Sequence, residues 1–468
     1  MKVQSYFYKA ILLLISLSLT GADLYARAGG GGGRSRSSGG GGGSYHSSGG
    51  YHSYGGGSGG GGSLSGGEIV LVLVVIGIVV IYNYYKNKGG NEAGSQAYVA
   101  PSTPAASFPE GLTPQKIENS FRTIQDAWQN KNLKDARKWI SDGVYQRYTA
   151  QFAMMNKLSQ VNKLSNIQVR GLRLAKVNTD GKYQTADVAI SFRMDDRFIS
   201  DKYPQFNESF AGDEATEYWT FIRRGDVQAD KDLYNTANCP NCGAPFETEM
   251  GEISRCSGCG TLTNSGAYDW VLSEITQEDD YSPDNSMVKD QQLAALTQHD
   301  SLFAVQRVED VASNVFMQIM EVLTGDSDKK LSRFADKDTA ASILAVKKQS
   351  GGFIFDRLYL NDVSLTHYDT EGERLNLHFD LTATYQRVRA NGAKLELMDG
   401  DMAPHSFSMT LSRNLRSLQT PEKETVYSYE CPSCGAPYND TTDDVCTYCG
   451  EPVIDLDKNW VLTGFNMG

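Results

Sequence analysis

Hydrophobic and polar positions change their period several times along the chain, and each change marks a boundary. Lys2 and Lys9 precede an apolar run from Ala10 to Leu19, and Ala26-Arg27-Ala28 follows as a small-x-small cleavage site. That grammar predicts a secretory signal peptide over 1–28, with an uncleaved anchor as the alternative. From 29 to 67 glycine dominates, interspersed with Ser, Tyr45, His46, Tyr51, His52 and Tyr54. Such a stretch cannot bury apolar surface and is expected to be disordered; its matches to Gly-x-Ser-x-Gly and Gly-x-Gly-x-x-Gly come from composition, because neither lies between a strand and a helix. A second apolar run, Ile69 to Tyr82, is uncharged and β-branched. With Tyr84 and Tyr85 it reaches about 17 residues, the lower limit for a span, so 68–85 reads as a transmembrane helix. The competing reading is a buried strand, which is set aside on the ground that soluble strands are shorter. Lys86 and Lys88 then put the following chain on the cytoplasmic side, and 86–109, with Pro101, Pro104 and Pro109, is a tether.

From 110 onward the periods are those of packed domains. Thr113 is placed to cap a helix with Pro114 at its first position, and Ile117, Phe121, Ile124 and Trp128 recur at helical spacing. Leu133, Ala136, Trp139 and Ile140 predict a second helix, and Val144, Tyr148, Phe152 and Met155 a third. Period two then takes over. Ile167 and Val169, then after a slip Leu172 and Leu174, predict a strand, and Asn178 to Gly181 a turn. Ala186, Val188, Ile190 and Phe192 predict the next strand, Glu217 to Arg224 another, and Trp270 to Ile275 the last. Helices followed by antiparallel strands give an α+β class, with helices on one face of a curved sheet.

The cysteines disclose a duplication. Cys239-Pro-Asn-Cys242-Gly-Ala-Pro, Cys256-Ser-Gly-Cys259-Gly and Asp269-Trp-Val-Leu272 recur as Cys431-Pro-Ser-Cys434-Gly-Ala-Pro, Cys446-Thr-Tyr-Cys449-Gly and Asn459-Trp-Val-Leu462. The predicted organisation is two tandem units, 110–277 and 290–468, joined by a linker at 278–289. In the second unit a helix is expected over Leu302 to Leu323, and strands near Phe353 to Tyr359, Arg374 to Arg387 and Ser406 to Leu411.

Two Cys-x-x-Cys-Gly knuckles separated by a short loop are the pattern of a zinc ribbon, in which four thiolates surround one ion. Cys239, Cys242, Cys256 and Cys259 (ribbon 239–260) are assigned to one zinc, and Cys431, Cys434, Cys446 and Cys449 (ribbon 431–450) to a second. The residue after each second cysteine must turn sharply, hence Gly243, Gly260, Gly435 and Gly450. Iron, redox dithiols and disulfides compete. A redox Cys-x-x-Cys opens a helix after a strand, which none of these pairs does, and disulfides conflict with a reducing compartment. Four sulfurs leave no open position for water, so metal-activated hydrolysis is excluded. Each ribbon replaces the last hairpin turn of its sheet, where metal binding of about 10–16 kcal/mol would hold it in one shape.

Charge narrows the partners. The net charge is −12, and up to Lys88 the only acids are Asp23 and Glu68, so the acidic excess belongs to the two units. That repels phosphate backbones and argues against nucleic acid. Asp187 is the nearest candidate for a catalytic carboxylate, yet Ala186 and Val188 put it on the opposite, solvent face of its strand. His367 and His378 read as core or surface residues rather than bases, and Trp128, Trp139, Trp219, Trp270 and Trp460 as core aromatics.

Ala127-Trp128, Asp142-Gly-Val-Tyr145, Glu217-Tyr-Trp-Thr-Phe221 with Trp270-Val-Leu272, and the leader with its Gly-rich tract and single span resemble the Tim44-like family in its bacterial membrane-anchored form. The family is named for the subunit that docks the mitochondrial import motor to the inner membrane. The resemblance implies a cone of helices on a curved sheet, similar to the nuclear-transport-factor-two-like superfamily. It covers the leader, the span and 110–277, is weak over 290–430, and transfers no contact residues. Together these features predict a protein of the bacterial inner membrane presenting two ribbon-bearing domains to the cytoplasm. Its expected role is non-catalytic binding or docking to a protein partner, in protein transport or envelope assembly. The alternative is a cone that binds a small apolar ligand or lipid, with some relatives being enzymes.

Overall fold

The computed structural model describes residues 24–27, 30–33, 107–228, 230–246, 250, 254–283, 290–325, 328–392, 394–415, 431, 433–436 and 445–467. The expected span 68–85 and nearly all of the expected signal, glycine tract and tether lie outside them. Leu24–Arg27 (β1) and Gly30–Gly33 (β2) pair antiparallel. No helix among the described residues is long and apolar enough to cross a membrane.

Helix α1, Pro114–Asn130, starts as the sequence reading expects: the Thr113 hydroxyl accepts from the Lys116 amide at 3.1 Å and proline occupies the first turn. Ile117, Phe121, Ile124 and Trp128 are buried, and Lys131 ends the helix in the left-handed region, φ 51°. Helix α2, Asp142–Lys157, is capped by Ser141. Between them, 133–140 is not the predicted helix but a run of turns. Its apolar residues are buried as expected, but its main-chain bonds form single turns, Leu133 O accepting from the Ala136 and Arg137 amides and Ala136 O from those of Trp139 and Ile140, while the carbonyls of 137, 138 and 140 accept side chains from the first cysteine-bearing segment (below).

Four antiparallel strands follow in the order β3-β4-β5-β6: Gln160–Asp180, Tyr183–Ser200, Glu208–Arg224 and Val271–Gln277. The slip read between Val169 and Leu172 is a β-bulge at Val169/Gly171. Ala186, Val188, Ile190 and Phe192 are fully buried beneath α1, with Phe121 packed on Phe192 and Trp219. At 21 residues β3 is longer than the apolar run 69–82, so in this chain length does not separate a strand from a span.

The second half repeats the plan. Helices α3 (Asp290–His299), α4 (Val305–Thr324) and α5 (Lys337–Ser350) precede β7 (Ile354–Glu371), β8 (Arg374–Asn391), β9 (Lys394–Leu397), β10 (Ala403–Asn414) and β11 (Val461–Met467). The sheet order is β7-β8-β10-β11, with β9 paired to β8. The likeness reaches single hydrogen bonds. Leu272 N–H donates to Trp139 O at 2.9 Å and Ser141 N–H to Leu272 O at 2.9 Å. At the equivalent place Leu462 N–H donates to Phe334 O at 2.7 Å and Asp336 N–H to Leu462 O at 3.0 Å. Ser141 and Asp336 then cap α2 and α5.

The two halves are not separate bodies on a spacer: 107–468 falls within one compact unit. Helix α2 packs on α4 and β7, and its Ala150 and Met154 belong to the second half's core. Carboxylates cap helices across this junction. Helix α4 has no side-chain cap of its own; its Val305 and Gln306 amides donate to Asp180 at 2.8 Å each. In return Asp310 of α4 accepts from the Gly143 amide at 3.1 Å and the Ser141 hydroxyl at 2.5 Å. The start of the expected linker is pinned as well. Tyr281 stacks on Tyr218 with centroids 3.7 Å apart, and Asn361 donates to Asp280 at 2.9 Å.

Candidate metal centres

Each cysteine knuckle is a tight turn closed by two main-chain bonds. Gly243 N–H donates to Cys239 O at 2.9 Å while Cys239 N–H donates to Ala244 O at 2.7 Å. The same pair recurs at Cys256 with Gly260 and Thr261, at Cys431 with Gly435 and Ala436, and at Cys446 with Gly450 and Glu451. The four glycines have φ between 73° and 76°, a conformation costly for any residue with a Cβ. Thus the sequence position of these glycines follows from the turn that aims two sulfurs at one point.

The knuckles meet as assigned. Cys239 and Cys259 Sγ lie 3.7 Å apart and Cys242 and Cys256 Sγ 3.8 Å; in the second set Cys431–Cys449 is 3.5 Å and Cys434–Cys446 3.8 Å. Sulfurs at about 2.3 Å from a tetrahedral zinc are separated by about 3.8 Å. All eight cysteines are free, and within each tetrad the four sulfurs lie within 4.8 Å of one another. In every knuckle the first cysteine is buried and the second exposed. Burial pushes the Cys239 thiol up to about 12, whereas the Thr261 amide foremost pulls Cys259 down to about 6. A divalent ion replaces the protons of all four thiols together, and four clustered sulfurs are a donor set that fits zinc.

The first metal segment fills the interval between β5 and β6, the second that between β10 and β11. The first is fastened to the body. Ser254 Oγ donates to Arg137 O at 3.1 Å, Thr263 Oγ1 to Lys138 O at 3.0 Å and Asn264 Nδ2 to Ile140 O at 3.0 Å. Tyr234 stacks on Trp139, and Lys116 pairs with the buried Asp269 at 2.7 Å. In the second, Val445 and Tyr448 are exposed, the latter by 66%.

Asp187 faces away from the core as expected, but that face is not open solvent. It is half-buried, accepts from Tyr281 and Thr220 hydroxyls at 2.9 and 3.0 Å, and is raised above the usual aspartate range chiefly by burial. It lines a cavity of about 560 Å³ with Asp180, Glu274, Asp280, Glu309 and Asp362. A smaller one, about 80 Å³, lies beside Ser141, Asn264 and Asp310. Burial pushes Asp310 up to about 7, and Glu309 well above the ordinary glutamate value. These junction carboxylates escaped the sequence reading because Glu309 and Asp310 sit in an amphipathic helix, where acids ordinarily mark the wet face. The five tryptophans are all buried. His367 is exposed and His378 half-buried.

Comparison with known proteins agrees with the packing motifs. Residues 105–235 match the Tim44-like domain. The matched stretch holds α1, α2 and β3 to β5 and stops before Cys239, so both metal segments and the second half lie outside the Tim44-like match. No curated protein matches the chain. A solved structure titled "Ntf2 like protein involved in plasmid conjugation" is 8% identical, covering 60% of this chain and 96% of its own, at a TM-score of 0.12; no argument rests on it.

Proposed function

We propose that this is a membrane-anchored, non-catalytic docking protein whose Tim44-like domain and second, divergent copy display two structural zinc ribbons to the cytoplasm. Residues 68–85 provide the span, 110–277 and 290–468 the two copies, and protein transport or envelope assembly is the setting. The observation that carries the reading is the paired placement of the tetrads: each interrupts the last strand pair of a filled sheet, outside the core, with two of its four cysteines at the surface. Exposed Tyr448 and Val445 on the second ribbon add an apolar contact of the kind that anchors a protein partner. Carboxylates and hydroxyls outnumber apolar groups in the lining of the large cavity, which supports docking over a lipid or small apolar ligand.

Affinity capture from detergent extracts tests this. Wild-type protein should recover a reproducible partner that is lost with Cys256→Ser or Cys446→Ser. Recovery of the bait alone, or of the same partner with both variants, contradicts docking through the ribbons.

A further inference from the structure

The second sheet carries a third group of potential metal donors, and the first sheet has other residues at the equivalent positions. Counting outward from the β3–β4 and β7–β8 turns, Lys176, Asn178, Asp187 and Thr220 of the first sheet occupy the positions of His367, Asp369, His378 and Thr410 in the second. The bulge at Leu174/Lys176 is matched by one at Leu365/His367. In the first copy this face lines the junction cavity beneath Tyr281. In the second it is open, and two imidazoles and a carboxylate stand there together. His367 and His378 are directly opposed across the strands, with rings stacked at 4.3 Å and 9°. One ligand atom from each of His367, Asp369 and His378 lies within 4.8 Å of the other two.

Neighbouring hydrogen bonds already decide which atoms are free to bind. Thr366 Oγ1 donates its one proton to the His378 carbonyl at 3.0 Å, so its 3.0 Å contact with His367 Nδ1 takes the proton of the ring. That leaves the Nε2 lone pair of His367 unused. His378 Nδ1 lies 3.1 Å from the Thr410 hydroxyl, which can accept its proton, while Nε2 faces Asp369 Oδ2 at 2.6 Å. Asn376 donates to the other oxygen, Oδ1, at 2.8 Å. Every prospective ligand therefore has its remote atom held by a second residue, the arrangement that fixes tautomer and orientation at metal sites.

We propose that His367 Nε2, His378 Nε2 and Asp369 Oδ2 form a third metal site, for a borderline divalent ion such as zinc, specific to the second copy. Two imidazoles and one carboxylate suit such an ion and not calcium or magnesium, which take oxygen ligands. With the ion on Nε2, the neutral ring of His378 carries its one proton on Nδ1, donated to the Thr410 hydroxyl. Donors about 2.0–2.1 Å from a tetrahedral centre are about 3.4 Å apart, within reach of small rotations of these surface side chains. Solvent completes the coordination, so the site is exchangeable where the ribbons are closed.

Equilibrium dialysis of the detergent-solubilised, two-zinc protein against micromolar radioactive zinc tests it. Wild type should hold a third ion that excess calcium does not displace. His367→Asn and His378→Asn should hold two, and Asp369→Asn, whose side chain is exposed, should weaken the third at least tenfold with both ribbon ions retained. Thr410→Val should weaken it about tenfold, as loss of an outer partner does. Two ions in the wild type, meaning that His378 and Asp369 are a surface ion pair only, or a third ion that survives all four substitutions, overturns the proposal.

Discussion

Gly143→Ala is a test of sign for the packing of the two halves. Glycine in the first turn of α2 costs that helix up to about 1 kcal/mol relative to alanine, so an independent first domain would be stabilised by the change. In the structure a Cβ at 143 would lie 2.2 Å from Asp310 Oδ1 and 2.6 Å from the Asp310 backbone oxygen. The side chain could swing aside; the backbone of α4 cannot. Moving α4 is an overpacking cost of about 1–3 kcal/mol. Releasing the carboxylate's bonds to Ser141 and Gly143 adds about 1.5 kcal/mol. Less a helix gain of about 1 kcal/mol, the net is a destabilisation of about 1.5–3.5 kcal/mol. Urea unfolding followed by tryptophan fluorescence reads it, because four of the five tryptophans lie in the first half. A variant as stable as wild type, or more so, would show that α2 and α4 do not meet as described.

Three further outcomes follow from the same structure. Asp310 holds its proton up to about pH 7 in the folded chain, against about 3.9 when unfolded. Its contribution is therefore complete below about pH 4 and is lost as pH rises through 7, by up to about 4 kcal/mol; Asp310→Asn should flatten that part of a stability–pH profile, and an unchanged slope would contradict it. Gly260→Ala and Gly435→Ala, at φ 73° and 74°, should each weaken zinc retention against a chelator at their own ribbon and leave the other ribbon unaffected. Added protease should leave the 107–468 region intact in sealed spheroplasts and digest it only after lysis; digestion before lysis would reverse the proposed orientation.

What the sequence made legible was whatever depends on local geometry. Knuckle glycines, the Thr113 cap and the alternating core of β4 are each dictated within a few residues, so pattern alone locates them. Leu133, Ala136 and Ile140 have helical spacing, and the segment does form single turns on the Leu133 and Ala136 carbonyls; the side chains of Ser254, Thr263 and Asn264 that fasten it come from more than a hundred residues away and leave no mark in the local pattern. Asp187 was assigned to the right face of its strand, but nothing near it in sequence says that Tyr281 covers that face. Asp180 and Asp310 escaped notice for a related reason: each caps a helix of the other half, and no local signal marks a cap supplied from elsewhere.

Zinc K-edge X-ray absorption, with elemental analysis on the same chelator-washed protein, bears most closely on the paired ribbons. Two zinc ions per chain with a first shell of sulfur alone at about 2.3 Å is the expected result. Iron in place of zinc, fewer than two ions, or nitrogen and oxygen in the first shell of the retained metal would contradict it.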